Sequence, residues 1–402
     1  MGGFFNEDHR MTVQKYSLND IRLRLNELDD ELLKLLSERR QMSIEVAKSK
    51  VQTSKPVRDA TREQQLLVKL INAGRDKYEL DAQYITKLFH TIIEDSVLLQ
   101  QSYLQNLANP EISRKPLARV AFLGSKGSYS HLASLAYFSR KNTELIELNC
   151  QHFKEVAQTV ESGHADYGVL PIENTSSGSI NEVYDLLQHT TLHIVGEMIL
   201  PIEHCLVATS DIRIEDIQTL YSHPQPHQQC SEFLSRLKGI TLESCTSTAD
   251  AMKKVKEINS DNVAAIGHAA SGKLYGLQSI QTNIANQTEN HTRFIVVARK
   301  PVEVSCQIPA KTTLIMSTSQ ETGSLVATLL VLQKYSINMN KLESRPIIGN
   351  PWEEMFYVDL ETHLESDEMQ KALQELTKLT KHLKVLGCYP SENVSPTKIR
   401  FQ

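Results

Sequence analysis

Apolar positions near the start of the chain recur in helical steps. Ile21, Leu25, Leu28, Leu32, Leu35, Met42 and Val46 predict one long helix with a buried stripe. Position 39 falls on that stripe, and it is Arg39. A buried guanidinium is costly unless an anion pairs with it. Lys50 follows eleven residues later, close to three turns, and projects from nearly the same side. A later helix repeats the anomaly. Its stripe of Ile85, Phe89, Ile92, Tyr103 and Leu107 is interrupted by Ser96 and Gln100, four apart on one face. Between the two lies PVRDATRE, where Asp59 suits an N-cap and Arg62 and Glu63 fall in the first turn after it.

The texture changes after the polar stretch 106–116. From Ala118 to Arg299 short apolar runs (RVAFLG, ADYGVLP, VAAIG, RFIVVAR) alternate with helical ones such as HLASLAYFSRK and TADAMKKVKEI. That alternation predicts an α/β region. A second break, 301–311, precedes a tail that reads β-α-β-β-α-β, with Ser366 as an N-cap. That order is the ferredoxin-like arrangement.

Bulk properties narrow the function classes. A chain of 402 residues suggests two to three domains. A net charge of -5 argues against nucleic acid as a partner. No apolar run is long enough to span a bilayer, and MGGFFNEDHR has neither a secretory signal nor, with Asn6, a myristoylation signal. Residues 1–11 carry no assigned role. The 6 cysteines are scattered with no C-x-x-C pair, as expected of reduced thiols in a cytoplasmic protein.

In the helical region Arg39, Lys50, Arg62, Glu63, Ser96 and Gln100 suggest a pocket for a small polyanion. The competing reading is a polar device that fixes helix register. Several cations together with a hydroxyl and an amide favour the pocket. The segments IRLRLNELDDELLKLLSERR, KPVRDATRE and IIEDSVLLQQ resemble the helical chorismate mutases of bacteria. The resemblance implies a Claisen rearrangement of chorismate with no cofactor. It further implies that Arg39 and a second arginine, Arg22, bind the carboxylates and that Lys50 and Gln100 face the ether oxygen. Glu63 would hold the ring hydroxyl, with Asp59, Arg62 and Ser96 supporting the site. Arg22 precedes Arg39 by seventeen residues, roughly 25 Å on one straight helix at about 1.5 Å per residue. One substrate molecule cannot reach both, so Arg22 is expected from another chain of an intertwined homodimer or higher homo-oligomer.

Three polar clusters mark the α/β region: GSKGSYSH after the first strand, PIENTSSGS from Pro171, and NHTRF. Each is also ordinary turn chemistry. None is G-x-G-x-x-G, which disfavours a dinucleotide fold and hence a fused dehydrogenase. Together with SHPQ from Ser222 they resemble the prephenate dehydratases, with two α/β lobes like a periplasmic binding protein. The resemblance implies conversion of prephenate to phenylpyruvate, with Thr292 as hydrogen-bond donor to the leaving hydroxyl and Glu173 as a possible acid. Asn174, Ser222 and Gln229 would orient substrate, and Arg293 would pair with a carboxylate or serve structurally. His223 and His227 have the spacing of a metal pair, but Pro224 and Pro226 are expected to prevent the helix this requires, so no metal is expected.

The tail resembles an ACT domain, a regulatory amino-acid-binding module. Gly323, Ser324, Leu325 and Val326 form one motif, and Glu343, Ser344, Arg345 and Pro346 the other. The implied ligand is L-phenylalanine as inhibitor. Trp352 is open between a place near that site and a core or interface position. Expected boundaries are 12–107 for an all-α mutase domain, 117–300 for the two-lobed α/β dehydratase and 311–390 for the ferredoxin-like domain. The three likenesses in this order resemble the bifunctional chorismate mutase/prephenate dehydratases of phenylalanine biosynthesis. The alternative is a non-catalytic amino-acid sensor with a binding-protein cleft and a helical dimerisation module.

Overall fold

The computed structural model describes residues 17–392, apart from 54, 114–116, 142, 238, 288, 348 and 351 and the side chains of 112 and 113. The expected start at residue 12, the N-terminal extension and Pro351 lie outside the described residues. Two compact units emerge. One takes the described residues up to Thr53 with Thr61–Tyr103, and the other takes 55–60 with the described residues from Leu104 onward.

The first unit is helical. Helix α1 spans Leu18–Thr53, α2 Ala60–Tyr78 and α3 Ala82–Ala108, the last passing into the second unit. The expected buried stripe of α1 needs correction. Ile21, Leu25, Leu28, Leu32, Leu35, Met42 and Val46 are all exposed in the single chain. The buried arc lies beside that stripe: Ser43 and Ala47 are buried, and Arg39 and Lys50 half-buried. Among the described residues nothing covers much of the apolar face of this 36-residue helix.

The second unit begins with β1 (Leu117–Leu123), β2 (Glu144–Cys150), β3 (Tyr167–Asn174), β4 (Gly178–Ser179) and β5 (His193–Pro201). Strands β6 (Cys205–Ala208), β7 (Thr219–Ser222), β8 (Thr241–Ser244), β9 (Val263–Gly267) and β10 (Gln278–Gln281) follow, then β11 (His291–Ala298). They form two sheets, β2-β1-β3-β11-β5 with β4 on β3, and β10-β6-β9-β7-β8. The chain therefore leaves the first sheet after β5 and returns to it as β11. The two crossings run side by side, with Ile202 N–H donating to Asn290 O at 2.7 Å and Ile284 N–H to His204 O at 3.1 Å. This is the expected two-lobed arrangement. The central strands β3, β9 and β11 read as continuous apolar runs because both sheet faces are covered. Strands β7, β8 and β10 are only 4 residues long, and the sequence pattern did not single them out. The expectation about Pro224 and Pro226 also needs correction. A helix, Pro224–Gln229, does form, because its prolines lie in the first turn, where a missing N–H costs no hydrogen bond.

The tail folds as expected. Strands β12 (Ala310–Thr318), β13 (Met339–Pro346), β14 (Glu354–Leu360) and β15 (Thr380–Pro390) pair in the order β13-β14-β12-β15, with helices Ser324–Lys334 and Asp367–Leu379 between them. Ser366 caps the second helix by accepting from Met369 N–H at 3.2 Å. The tail does not separate from the lobes, however. Ile315, Tyr357, Leu386 and Tyr389 share one core with Leu187, Ile194 and Ile295. At Gly387 a Cβ would sit 2.1 Å from the carbonyl oxygen of Ile194, so only glycine permits this approach of β15 to β5. Trp352, at 92% exposed, is not a core residue of the chain.

Candidate functional sites

In the helical unit Arg39, Ser96 and Gln100 come together, as their positions on two helices suggested. Arg39 Nη1 donates to Ser96 Oγ and to Ile92 O, the latter at 3.3 Å. Gln100 is buried one turn further along, with Nε2 donating to Ser96 O at 3.2 Å. Its Oε1 meets no partner among the described residues. Burial pulls the Arg39 guanidinium below its usual value, opposed by the charge of Asp95. Glu63 is buried on α2, and Lys50 half-buried on α1. Arg22, Asp59 and Arg62 are exposed. Seventeen residues of continuous helix separate Arg22 from Arg39.

In the α/β lobes the register of two strands builds the second site. Thr292 on β11 lies opposite Asn174 on β3, and Arg293 lies opposite Glu173. Side chains of adjacent residues on a strand leave by opposite faces. Thr292 and Asn174 therefore share one face, and Glu173 and Arg293 the other. The Asn174 carboxamide is oriented without ambiguity. Its Oδ1 accepts from the backbone N–H groups of Ser176 (3.0 Å) and Ser177 (2.9 Å), which can only donate. Its Nδ2 then donates to Thr292 Oγ1 at 2.9 Å and Asn290 Oδ1 at 2.8 Å. Because the Thr292 oxygen accepts this bond, its own O–H proton stays available to donate.

Beside this network lies a cavity of about 290 Å³ between the lobes, whose lining includes Ser176, Ser177, Gln225, Gln229, Asn286 and Asn290. Among the described residues no charged side chain lines it. Gln225 Nε2 crosses from the second lobe to Ser177 Oγ of the first at 2.8 Å. Gln229 Oε1 accepts from His204 Nε2 at 2.7 Å, which sets the His204 tautomer, and Tyr129 O–H donates to His204 Nδ1 at 3.1 Å. Burial, with His268 nearby, lowers the His204 pKa despite the opposing bond to Gln229. Ser222 is buried at the end of β7 and donates to His223 O at 2.9 Å. His223 accepts from Gln225 N–H at 3.3 Å and caps its helix.

Two expectations need correction. Arg293 does not reach the cleft. Its guanidinium meets Glu197 at 2.8 Å, Asp359 of β14 at 2.5 Å and Tyr389 of β15 at 3.0 Å, and Lys311 of β12 holds Glu197 at 2.8 Å. Burial opposes the Arg293 charge, but Tyr389, Asp359 and Glu197 outweigh it and raise the pKa. Arg293 thus takes the structural role. Glu173 likewise faces the tail, where Lys341 Nζ contacts its Oε1 at 2.9 Å, and it does not share the face of Thr292. Sequence reading missed Asn290, His204, Tyr129 and Lys341. Asn290 stands within NHTRF and Tyr129 within GSKGSYSH, and both could have been singled out, whereas His204 and Lys341 carry no local signal.

In the tail Gly323 adopts φ +83° and opens the helix Ser324–Lys334, with Leu325 half-buried and Val326 exposed. The acid and base of the second motif are engaged within the chain. Glu343 accepts from Ser179 Oγ at 2.6 Å and lies 3.3 Å from Lys341, and Arg345 grips Asp185 with two bonds of 2.8 and 2.9 Å. Ser344 and Pro346 are exposed.

Comparison with known proteins agrees with this division. The family model for chorismate mutase type II matches residues 21–101, and that for prephenate dehydratase matches 120–302. A bifunctional chorismate mutase/prephenate dehydratase of Enterobacter agglomerans is 55% identical over 379 residues, 94% of this chain and 97% of the relative. Among solved structures, the quorum-quenching acylase GqqA is 28% identical with a TM-score of 0.61, covering 68% of this chain and 98% of its own. A prephenate dehydratase from Arthrobacter aurescens in complex with L-Phe is 24% identical with a TM-score of 0.62, covering 70% and 93%.

Proposed function

The chain belongs to the family of bifunctional chorismate mutase/prephenate dehydratases, and we propose that it converts chorismate to prephenate in the helical unit and prephenate to phenylpyruvate between the α/β lobes. The lobe fold alone would not choose the activity, since one fold hosts many. The observation that carries the reading is the separation of two polar constellations, Arg39–Ser96–Gln100 on helices and Thr292–Asn174 on paired strands.

In the first reaction an ether C–O bond breaks as a C–C bond forms within one molecule. No proton donor is required, only a folded conformer and stabilisation of charge on the ether oxygen. Arg39 and the Arg22 of a second copy hold the carboxylates, Lys50 and Gln100 face the ether oxygen, and Glu63 holds the ring hydroxyl. Asp59 and Arg62 border the site. The exposed apolar face of α1 supports the second copy. In the second reaction the bond to the ring carboxylate breaks and its electron pair enters the ring. The hydroxyl, hydrogen-bonded by Thr292, leaves as hydroxide, so the prephenate dianion gives the phenylpyruvate anion, carbon dioxide and hydroxide. Asn174 fixes Thr292, and Ser222 and Gln229 shape the cleft.

The chain is read as three functional domains, 12–107, 117–300 and 311–390, in a cytoplasmic enzyme; no described helix is long and apolar enough to cross a membrane. The ferredoxin-like tail acts as an ACT domain that senses L-phenylalanine through residues 323–326 and 343–346. Coupling requires contacts that differ between two states. Lys341 supplies a route, since it stands between Glu343 of the motif and Glu173 of β3. Burial pulls its pKa down, and the two carboxylates more than offset this. The test supplies purified protein with chorismate, follows prephenate and phenylpyruvate separately, and repeats the assay with phenylalanine. Both products are expected, with phenylpyruvate formation suppressed by phenylalanine. Phenylalanine that neither binds nor inhibits would leave the tail a dimerisation module.

A further inference from the structure

Asn290 has no role in the reactions described so far, yet its side chain is held in one orientation at the edge of the cleft. It lies just before β11, is 3% exposed and lines the inter-lobe cavity. The orientation follows from its neighbours. Asn174 presents Nδ2, a donor, so the atom of Asn290 that faces it at 2.8 Å must be the carbonyl oxygen. The Asn290 Nδ2 is thereby turned away from Asn174. It is buried and meets no hydrogen-bond partner among the described residues. A buried donor without a partner is costly, and a ligand acceptor would relieve that cost. Gln229, on the other lobe, lines the same cavity, and its side chain bonds to His204 at 2.7 Å.

We infer that Asn290 is a substrate-binding residue whose side-chain N–H groups hold a carboxylate of prephenate. This rests on the reading that Thr292 and Asn174 mark the dehydratase site. Only an anion or a neutral acceptor suits a buried donor fixed in this way, and prephenate carries two carboxylates. The absence of a charged side chain from the cavity lining fits the chemistry. A guanidinium would stabilise a carboxylate in the ground state and oppose its loss as carbon dioxide. Neutral amides orient it at a smaller ground-state cost.

The discriminating variant is Asn290→Asp. The carboxylate keeps the bond from Asn174 but replaces the donor with a negative acceptor. Prephenate dehydration is measured in the full chain from pH 5 to 9. The KM for prephenate is expected to rise by at least about tenfold at pH 8, the loss of one hydrogen bond to a charged group, with a smaller fall in kcat. The ratio to the native enzyme should shrink as pH falls and the carboxyl regains a proton it can donate. A KM within twofold of native, or a defect confined to kcat and independent of pH, would overturn the inference, because a merely structural asparagine is replaced by aspartate without losing its acceptor. Should Asn290→Asp not fold, Asn290→Ser is expected to raise KM by a similar factor at every pH, and an unchanged KM again overturns it. Thr292→Val in the same assay separates the premises. If it retains native turnover, the site reading fails. If it is inactive while Asn290→Asp binds normally, only the role of Asn290 fails.

Discussion

At the scale of single residues, the dehydratase site is a set of oriented carboxamides. Two backbone N–H groups fix Asn174, Asn174 fixes Thr292 and Asn290, and Gln229 bonds to His204. The candidates on the matched motifs were legible, but Arg293 stayed open between a carboxylate partner and a structural role. Strand alternation sends Thr292 and Arg293 to opposite faces, which no reading of TRF as a string could separate. His204 was not legible because its partners come from positions 129 and 229, remote in sequence. It yields a prediction with a definite sign. Its pKa is depressed in the folded chain, mainly by burial. Between that lowered value and about 6.5 the unfolded chain binds a proton that the folded chain refuses. Stability is therefore lost as pH falls below about 6.5. His204→Gln should show a smaller drop in denaturation midpoint between pH 7.5 and 5.5 than the native protein. Equal drops would show that His204 does not carry this linkage.

At the scale of elements, long periodic segments were read well and short strands poorly. Helix Thr248–Ile258 and the tail's β-α-β-β-α-β order follow the sequence pattern closely. Strands such as β7 and β8 gain their stability from neighbours, and four residues carry too little period to declare themselves. The face of α1 was misplaced for a different reason. Its apolar stripe was assigned to the chain's own core, whereas the chain buries the adjoining arc of Arg39, Ser43, Ala47 and Lys50. The proposed second copy rests on the exposed stripe along these 36 helical residues. That copy would bring its Arg22 to a pocket the chain's own Arg22 cannot reach. Arg22→Ala and Arg39→Ala proteins, each without mutase activity, should recover up to roughly a quarter of the native specific activity when mixed under subunit exchange, since random pairing leaves one intact site in half of the dimers. Homodimers in which exchange is demonstrated but activity stays absent would exclude a shared pocket.

At the scale of the whole molecule, two units carry two chemistries, and the tail is built into the second of them. The pattern of the sequence marked the tail as separate because its breaks and element order are local features. Its union with the lobes is not local. It depends on Gly387 admitting the carbonyl of Ile194 and on the buried group of Glu197, Arg293, Lys311 and Asp359. Breaking one partner of such a group is costly, about 3–5 kcal/mol, so the tail and the strand bearing Thr292 move together or not at all. The central claim is that the two reactions occupy separate sites, one on helices and one between lobes. Thr292→Val protein supplied with chorismate tests it most directly, with prephenate and phenylpyruvate followed over time. The account predicts that prephenate forms at the native rate and accumulates, while phenylpyruvate falls by at least about a hundredfold, the scale on which a positioned hydrogen-bond donor acts. Phenylpyruvate formed at a near-native rate, or prephenate formation lost together with it, would contradict the account.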